Sequence, residues 1–240
     1  ASPDQLLSYA NLAVYSVKKN GKNGILTYTR TASTQPEYYN ERSKAAIVQE
    51  YTATIYALTA AIDAKDHYTF SHSQCVSSYA SQLALAAGLS DEHVEIIRQA
   101  GLLHDIGKIG IPDSILTKEG KLTSDEHGIM RRHVERSIEM IRHLPSLDYV
   151  IPVVLSHHER YDGKGYPRGI AGENIPIGAR CLSIVDSFDA MVSRRSYKET
   201  IPINEALDEI RSNLGKQFDP ELGQLFVSLV ENYQIKAVSY

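Results

Sequence analysis

At 240 residues the chain is long enough for one large domain, or for one domain with a fragment of another. Its 42% hydrophobic and 22% charged residues describe an ordinary globular protein, and a formal net charge of -4 excludes a global pull toward DNA, RNA or anionic lipid, so an anionic ligand has to be held locally. Two cysteines, Cys75 and Cys181, are too few for a disulfide framework or a CxxC zinc site, and with no membrane span or signal-peptide pattern the expectation is a cytoplasmic piece of protein.

Between Pro3 and Lys19 the residues Leu6, Leu7, Ala10, Ala13, Val14 and Val17 recur at helical steps until Asn20-Gly21, and a short strand, GILTY, follows. The polar stretch RTASTQPE reads as a linker. Ile47, Tyr51, Ile55, Leu58 and Ile62 then mark a long helix, whose stripe suits either a seam between two copies of the chain or a face packed on its own domain. The next helix carries Val76, Tyr79, Ala80, Leu83 and Ala84 and stops at Gly88, and Ser90 opens another as its N-cap. Thr123 and Glu126 stand in capping-box spacing before Ile129, Met130, Val134, Ile138 and Ile141, which predicts one helix as far as Pro145. Further helices are expected near Tyr149–His157, Gly178–Val192, Ile203–Leu214 and Glu221–Tyr233. Without repeats or low-complexity tracts, this is an all-α bundle with a short β element at its N-terminus.

A lone histidine in a helix is usually a surface or hydrogen-bonded residue, and His93, His127 and His143 are read so. Company changes the reading for others. His104-Asp105 and His157-His158 are neighbouring pairs, and His72, His133 and Asp186 each fall on a separate predicted helix. Imidazole and carboxylate without thiolate suit iron, manganese, nickel, cobalt or zinc. Seven such donors exceed one open site, so two metals roughly 3.5–4 Å apart are expected, with a water or hydroxide between them as nucleophile. Lys108, one turn beyond His104, is expected on the same side of its helix, where a cation would neutralise charge on a phosphorane-like transition state.

The segments HDIGK at His104–Lys108 and HHERYDGKGYP at His157–Pro167 resemble the two signature motifs of the HD-GYP family within the HD superfamily. KDHYTFSH resembles the family's DPYT-x-GH segment, and IPIGARCLSIVDSFDAM the helix that carries its late metal-binding Asp. The resemblance spans about Lys65 to Gln224 and implies an all-helical, metal-dependent phosphodiesterase hydrolysing cyclic di-GMP to linear pGpG, or on to GMP. Carried over by position, the metal ligands are His72, His104, Asp105, His133, His157, His158 and Asp186, with Asp105 as bridge. Lys108 would contact the scissile phosphate. SRRSYKET resembles the family's R-P-Y-R motif, which makes Arg195 and Lys198 substrate-binding residues, Arg195 having the planar fork suited to phosphate or a guanine edge.

Three departures matter. At Tyr68 some family members place a Glu that binds a third metal, so two metals and pGpG are favoured here. Ser196 replaces a Pro, and His67 replaces the Pro of DPYT as a surface or supporting group. Tyr166 is expected to support loop packing or a partner contact, the family partner being a GGDEF protein. DQLLSYANLAVYSVKKNGKNGILTY weakly resembles the end of a GGDEF domain. The expected organisation is therefore a GGDEF-like remnant over 1–30, a linker and connecting helix over 31–64, and an HD-GYP domain over 65–240, cut from a longer protein that could carry a membrane anchor. Rival readings are an enzyme for another cyclic dinucleotide, such as cyclic GMP-AMP, and a non-catalytic cyclic di-GMP sensor.

Overall fold

The apolar stripes fold as helices around a main core and a smaller second cluster in the computed structural model, which describes Ile55, Thr59, residues 69–193 and residues 200–235. The expected N-terminal helix and strand, the linker, His67, Tyr68, Arg195, Ser196, Tyr197 and Lys198 lie outside the described residues. Helix α1 (Thr69–Ala86) packs on α2 (Asp91–Leu103) and on α7 (Ile177–Val192). Between α1 and α2 the chain turns at Gly88, whose φ of 80° lets the Gly88 amide reach the Leu85 carbonyl and the Leu89 amide reach that of Ala84. Ser90 caps α2 as expected, accepting from the His93 amide.

After α2 come a 3-10 turn (Ile106–Gly110), the short α3 (Asp113–Leu116), α4 (Ser124–Arg131), α5 (His133–Ile141), a second 3-10 turn (Pro145–Val150) and α6 (Ile151–Ser156). Beyond α7 lie α8 (Ile203–Ser212) and α9 (Pro220–Glu231). Among the described residues there is no strand, only an isolated bridge between Leu214 and Phe218.

Two sequence expectations change. The single helix from Thr123 toward Pro145 is two helices, α4 and α5, hinged at Arg132. Its stripe serves two clusters: Ile129 and Met130 pack with Ile111, Ile115 and Leu116, whereas Ile138 and Ile141 join the main core, so the axis has to turn between them. Likewise His104, Asp105 and Lys108 do not share a helix. The α-helical segment ends at Leu103 with His104 as its C-cap, and Asp105 at φ -101°, ψ 4° opens the 3-10 turn. Ser137 on α5, wholly buried, makes that break affordable by accepting from the Gly107 amide at 2.8 Å and donating to the His104 carbonyl at 3.0 Å.

The most buried element is α7. Phe188 on it packs edge-on against Tyr79 and Phe226, which ties α1 and α9 to the same core. Arg180 on α7 pairs with Asp219, whose other oxygen caps α9 through the Glu221 and Leu222 amides. Ile55 is buried in the main core, and Thr59 donates to the Ile55 and Leu102 carbonyls. At Ile55, the one stripe position among the described residues, the stripe faces its own domain.

Candidate metal centre

The side chains at the centre come from five separate places in the chain, and most stand at helix ends. His104 caps α2, Asp105 opens the following turn, His133 is the first residue of α5, and His157 caps α6 with His158 next to it. His72 and Asp186 lie within α1 and α7. The imidazoles form a continuous array: ring centroids are 5.7 Å apart for His72 and His104, 5.2 Å for His104 and His157, 5.7 Å for His133 and His157, and 5.1 Å for His133 and His158.

Their donor atoms fall into two groups. In one, ligand atoms of His72, His104 and Asp186 lie within 4.8 Å of one another, and in the other so do those of His133, His157 and His158. Asp105 faces both, with Oδ2 3.4 Å from His104 Nε2 and Oδ1 3.4 Å from His133 Nε2. Lys108 Nζ sits 2.6 Å from Asp105 Oδ2. The 3-10 turn produces this contact, because residues three apart eclipse on such a turn. All seven expected ligands and Lys108 are thus brought together, by turn geometry rather than by the expected helical face.

The residues suit divalent cations by an independent test. Nδ1 of His104, His133 and His157 each bonds a backbone carbonyl, which fixes these rings with Nε2 as the lone-pair atom. Those three Nε2 atoms are buried and have no hydrogen-bond partner, a costly arrangement unless a cation accepts the lone pairs. Electrostatics agree. Burial pushes the His157 imidazolium well below its usual range and that of His158 down to about 3, helped by neighbouring histidines, so both rings stay neutral. His133 shifts down for the same first reason, against the opposing pull of Asp105. Burial works against ionised Asp105, yet Lys108 and then His104 hold its carboxyl well below the carboxylate range. Asp186 is likewise held low, against burial, by its hydrogen bond with His72. His72 goes the other way: burial opposes its charge, but Asp186 and Asp189 raise it to about 9.

Beside the second group opens a cleft of about 210 Å³, lined by Tyr166, Arg131, Arg160, Lys164, Ser187 and Gln217 among others. Tyr166 stacks on His158 at 4.8 Å, and the Arg131 guanidinium lies 4.8 Å above the Tyr166 ring. The loop that places Tyr166 is pinned by backbone. A Cβ at Gly165 would come within 2.3 Å of the Arg160 nitrogen, and the buried Glu159 carboxylate accepts from the Arg168 amide. Sequence reasoning missed Asp189, Ser137, Arg131 and Arg160. Only Asp189 left a signal, its position three residues after Asp186 on the same helical face.

The chain matches the HD domain family model over residues 56–222. A protein of Thermotoga maritima named cyclic di-GMP phosphodiesterase is 43% identical over 167 residues, which cover 69% of this chain and 45% of that protein. A 3′3′-cGAMP-specific phosphodiesterase 2 of Vibrio cholerae is 37% identical over 175 residues, covering 72% of this chain and 34% of that protein. The chain therefore spans less than half the length of these two curated relatives. Among solved structures, Bd1817, an HDG"Y"P protein from Bdellovibrio bacteriovorus, shares the fold at a TM-score of 0.56 and 19% identity, over 68% of this chain and 54% of that one. With HDIGK at His104–Lys108 and HHERYDGKGYP at His157–Pro167, the chain belongs to the HD domain family as an HD-GYP member.

Proposed function

We propose that the chain is the catalytic part of a cyclic di-GMP phosphodiesterase that opens its substrate to linear pGpG. His72, His104 and Asp186 would hold one divalent metal, His133, His157 and His158 would hold a second, and Asp105, which faces both groups, would be shared between them. The observation that carries this reading is the division of six donors into two groups of three about one carboxylate. Iron or manganese suits these donors best, with nickel, cobalt or zinc as alternatives. When bound, such a pair supplies Lewis acidity toward the phosphodiester and a water acidic enough to attack phosphorus near neutral pH.

The chain's own residues hold and orient the substrate. Lys108, beside Asp105, neutralises charge that builds on a phosphoryl oxygen. Arg131 and Lys164 place positive charge along the cleft for a dianionic substrate, whereas Arg160 is paired with Asp162, and Arg195 and Lys198 are assigned to the substrate's second phosphate and guanine edge. Tyr68, lacking a carboxylate, supports two metals rather than three. The remaining assignments belong to this reading too: a GGDEF-like remnant over 1–30, a linker and connecting helix over 31–64, the phosphodiesterase domain over 65–240, a cytoplasmic location, a homodimer contact through positions of the connecting helix other than the buried Ile55, and a GYP loop that meets GGDEF proteins.

A second reading, cyclic GMP-AMP as substrate, is favoured by the name of the Vibrio cholerae relative. The test is to load the purified chain separately with Mn²⁺, Fe²⁺ and Ni²⁺ without oxygen, supply each cyclic dinucleotide, and resolve the products by liquid chromatography. Metal-dependent pGpG is the expected result. Faster turnover of cyclic GMP-AMP would move the reading to the second substrate, and two bound metals with dinucleotide binding but no product would make the chain a sensor.

A further inference from the structure

Three of the buried histidines share one local device. His104, His133 and His157 each bond through Nδ1 to the carbonyl three residues earlier, on Gly101 at 2.8 Å, Met130 at 2.8 Å and Val154 at 2.6 Å. They can do so because each stands at a helix end or just past a helix break, where carbonyls are released from the ladder. His72 is held by a side chain. It lies inside α1, where the preceding carbonyls are engaged in helical hydrogen bonds. Its Nδ1 instead meets a side chain from another element: Asp189 Oδ2 on α7, at 2.6 Å, from a residue with no solvent exposure. One turn earlier on α7, Asp186 places Oδ1 3.1 Å from the other nitrogen of the same ring.

We propose that Asp189 is a positioning residue: it holds His72 in the tautomer and orientation that aim Nε2 at the metal shared with His104 and Asp186, and as an anion it strengthens that nitrogen as a donor. Asp189 itself touches neither metal nor substrate. The role rests on the two-metal reading above. A partner of this kind, bonded to the far nitrogen of a ligating histidine, changes metal affinity by roughly 10–100-fold. Purely structural burial of a carboxylate would change stability and leave the two sites equally affected.

The test is Mn²⁺ titration by calorimetry of the metal-stripped chain, as wild type, Asp189→Asn, His72→Ala and the double variant. The expected result is two ions in the wild type, one of them bound roughly 10–100-fold more weakly in Asp189→Asn, the other unchanged. In the His72→Ala background Asp189→Asn should leave Mn²⁺ binding where His72→Ala alone put it, because a residue acting only through His72 has nothing left to act on. Asp189→Ser, smaller and uncharged, provides the same comparison where the Asn variant does not fold. Wild-type affinity in the single variant, equal weakening of both ions, or a further loss in the His72→Ala background overturns the proposal. A wild-type chain that takes no Mn²⁺ overturns the two-metal reading first and this role with it.

Discussion

Gly107 lies in the turn that carries Asp105 and Lys108, and no other residue fits there. A Cβ at this position would lie 2.0 Å from the His133 carbonyl oxygen and 2.5 Å from the Ser137 nitrogen. Both are backbone atoms, so no side-chain rotation relieves the overlap. Ordinary contact begins near 3.4 Å, so Gly107→Ala has to drive the turn and α5 apart by about 1.4 Å, the difference between 3.4 and 2.0 Å. Such a shift breaks the 2.8 Å hydrogen bond from the Gly107 amide to Ser137. Losing that bond costs about 0.5–1.5 kcal/mol and overpacking about 1–3 kcal/mol, so a destabilisation of roughly 2–4 kcal/mol is expected. The centre suffers as well. Asp105 moves with the turn and His133 with α5, and ligand distances tolerate only about 0.2 Å. Gly107→Ala should therefore lose metal shared across Asp105 and His133 in addition to stability. Gly128 provides the control: it is exposed in α4 with nothing within 4 Å of its Cβ position, so the same substitution there should stabilise by up to about 1 kcal/mol. Urea unfolding of the stripped proteins and metal content of the loaded ones measure both effects. A Gly107→Ala variant with the wild-type midpoint and two bound metals would refute the reasoning.

Asp105→Asn should bind fewer metals because it removes the anionic bridge, whereas Lys108→Ala should keep both and lose turnover by roughly 10²-fold, and equal metal loss in the two would contradict these roles. Without metal, stability should be greatest near pH 6.5 and fall on both sides, as urea midpoints at pH 4, 6.5 and 9.5 will measure. His158, held down to about 3, contributes stability above its unfolded pKa that is lost as pH falls toward 3, and Asp105 and Asp186 add to the acid loss. His72, raised to about 9, contributes stability fully present below pH 6.5 and lost as pH rises through 9. Arg131→Ala should raise KM for cyclic di-GMP by roughly tenfold with metal content unchanged, since it removes a cation from the cleft rather than a ligand. An unchanged KM would place the substrate elsewhere.

What the sequence made legible was what it wrote locally. His104-Asp105 and His157-His158 are adjacent pairs, and the periods of α1, α7, α8 and α9 are strong enough to fix their limits within a few residues. What it did not reveal depended on a partner far along the chain. The hinge at Arg132 is invisible in an apolar stripe that runs unbroken from Ile129 to Ile141, because only the fold shows that its two halves serve different clusters. Ser137 reads as one more polar residue in a helix until the amide of Gly107 and the carbonyl of His104 arrive beside it. Asp189 needed His72, more than a hundred residues earlier, to become more than the second Asp of a D-x-x-D pair.

The same distinction explains why the centre sits where helices end. An inward-facing imidazole needs one nitrogen bonded and the other open, and a released carbonyl supplies the first condition without a second polar side chain in the core. Three of the five histidines, His104, His133 and His157, use that solution, and His72, within a helix, meets a buried carboxylate. Among the described residues the result is three carboxylates, Asp105, Asp186 and Asp189, facing one ammonium, Lys108, in a region of low exposure. Such an excess of negative charge is stable only if cations enter or protons are taken up. The raised pKa of His72 is that proton uptake, so metal entry at the first group requires its release. Metal binding there should accordingly strengthen as pH rises toward 9, while the second group, whose histidines are already neutral, has no proton to give up and binds with little dependence on pH over the same range.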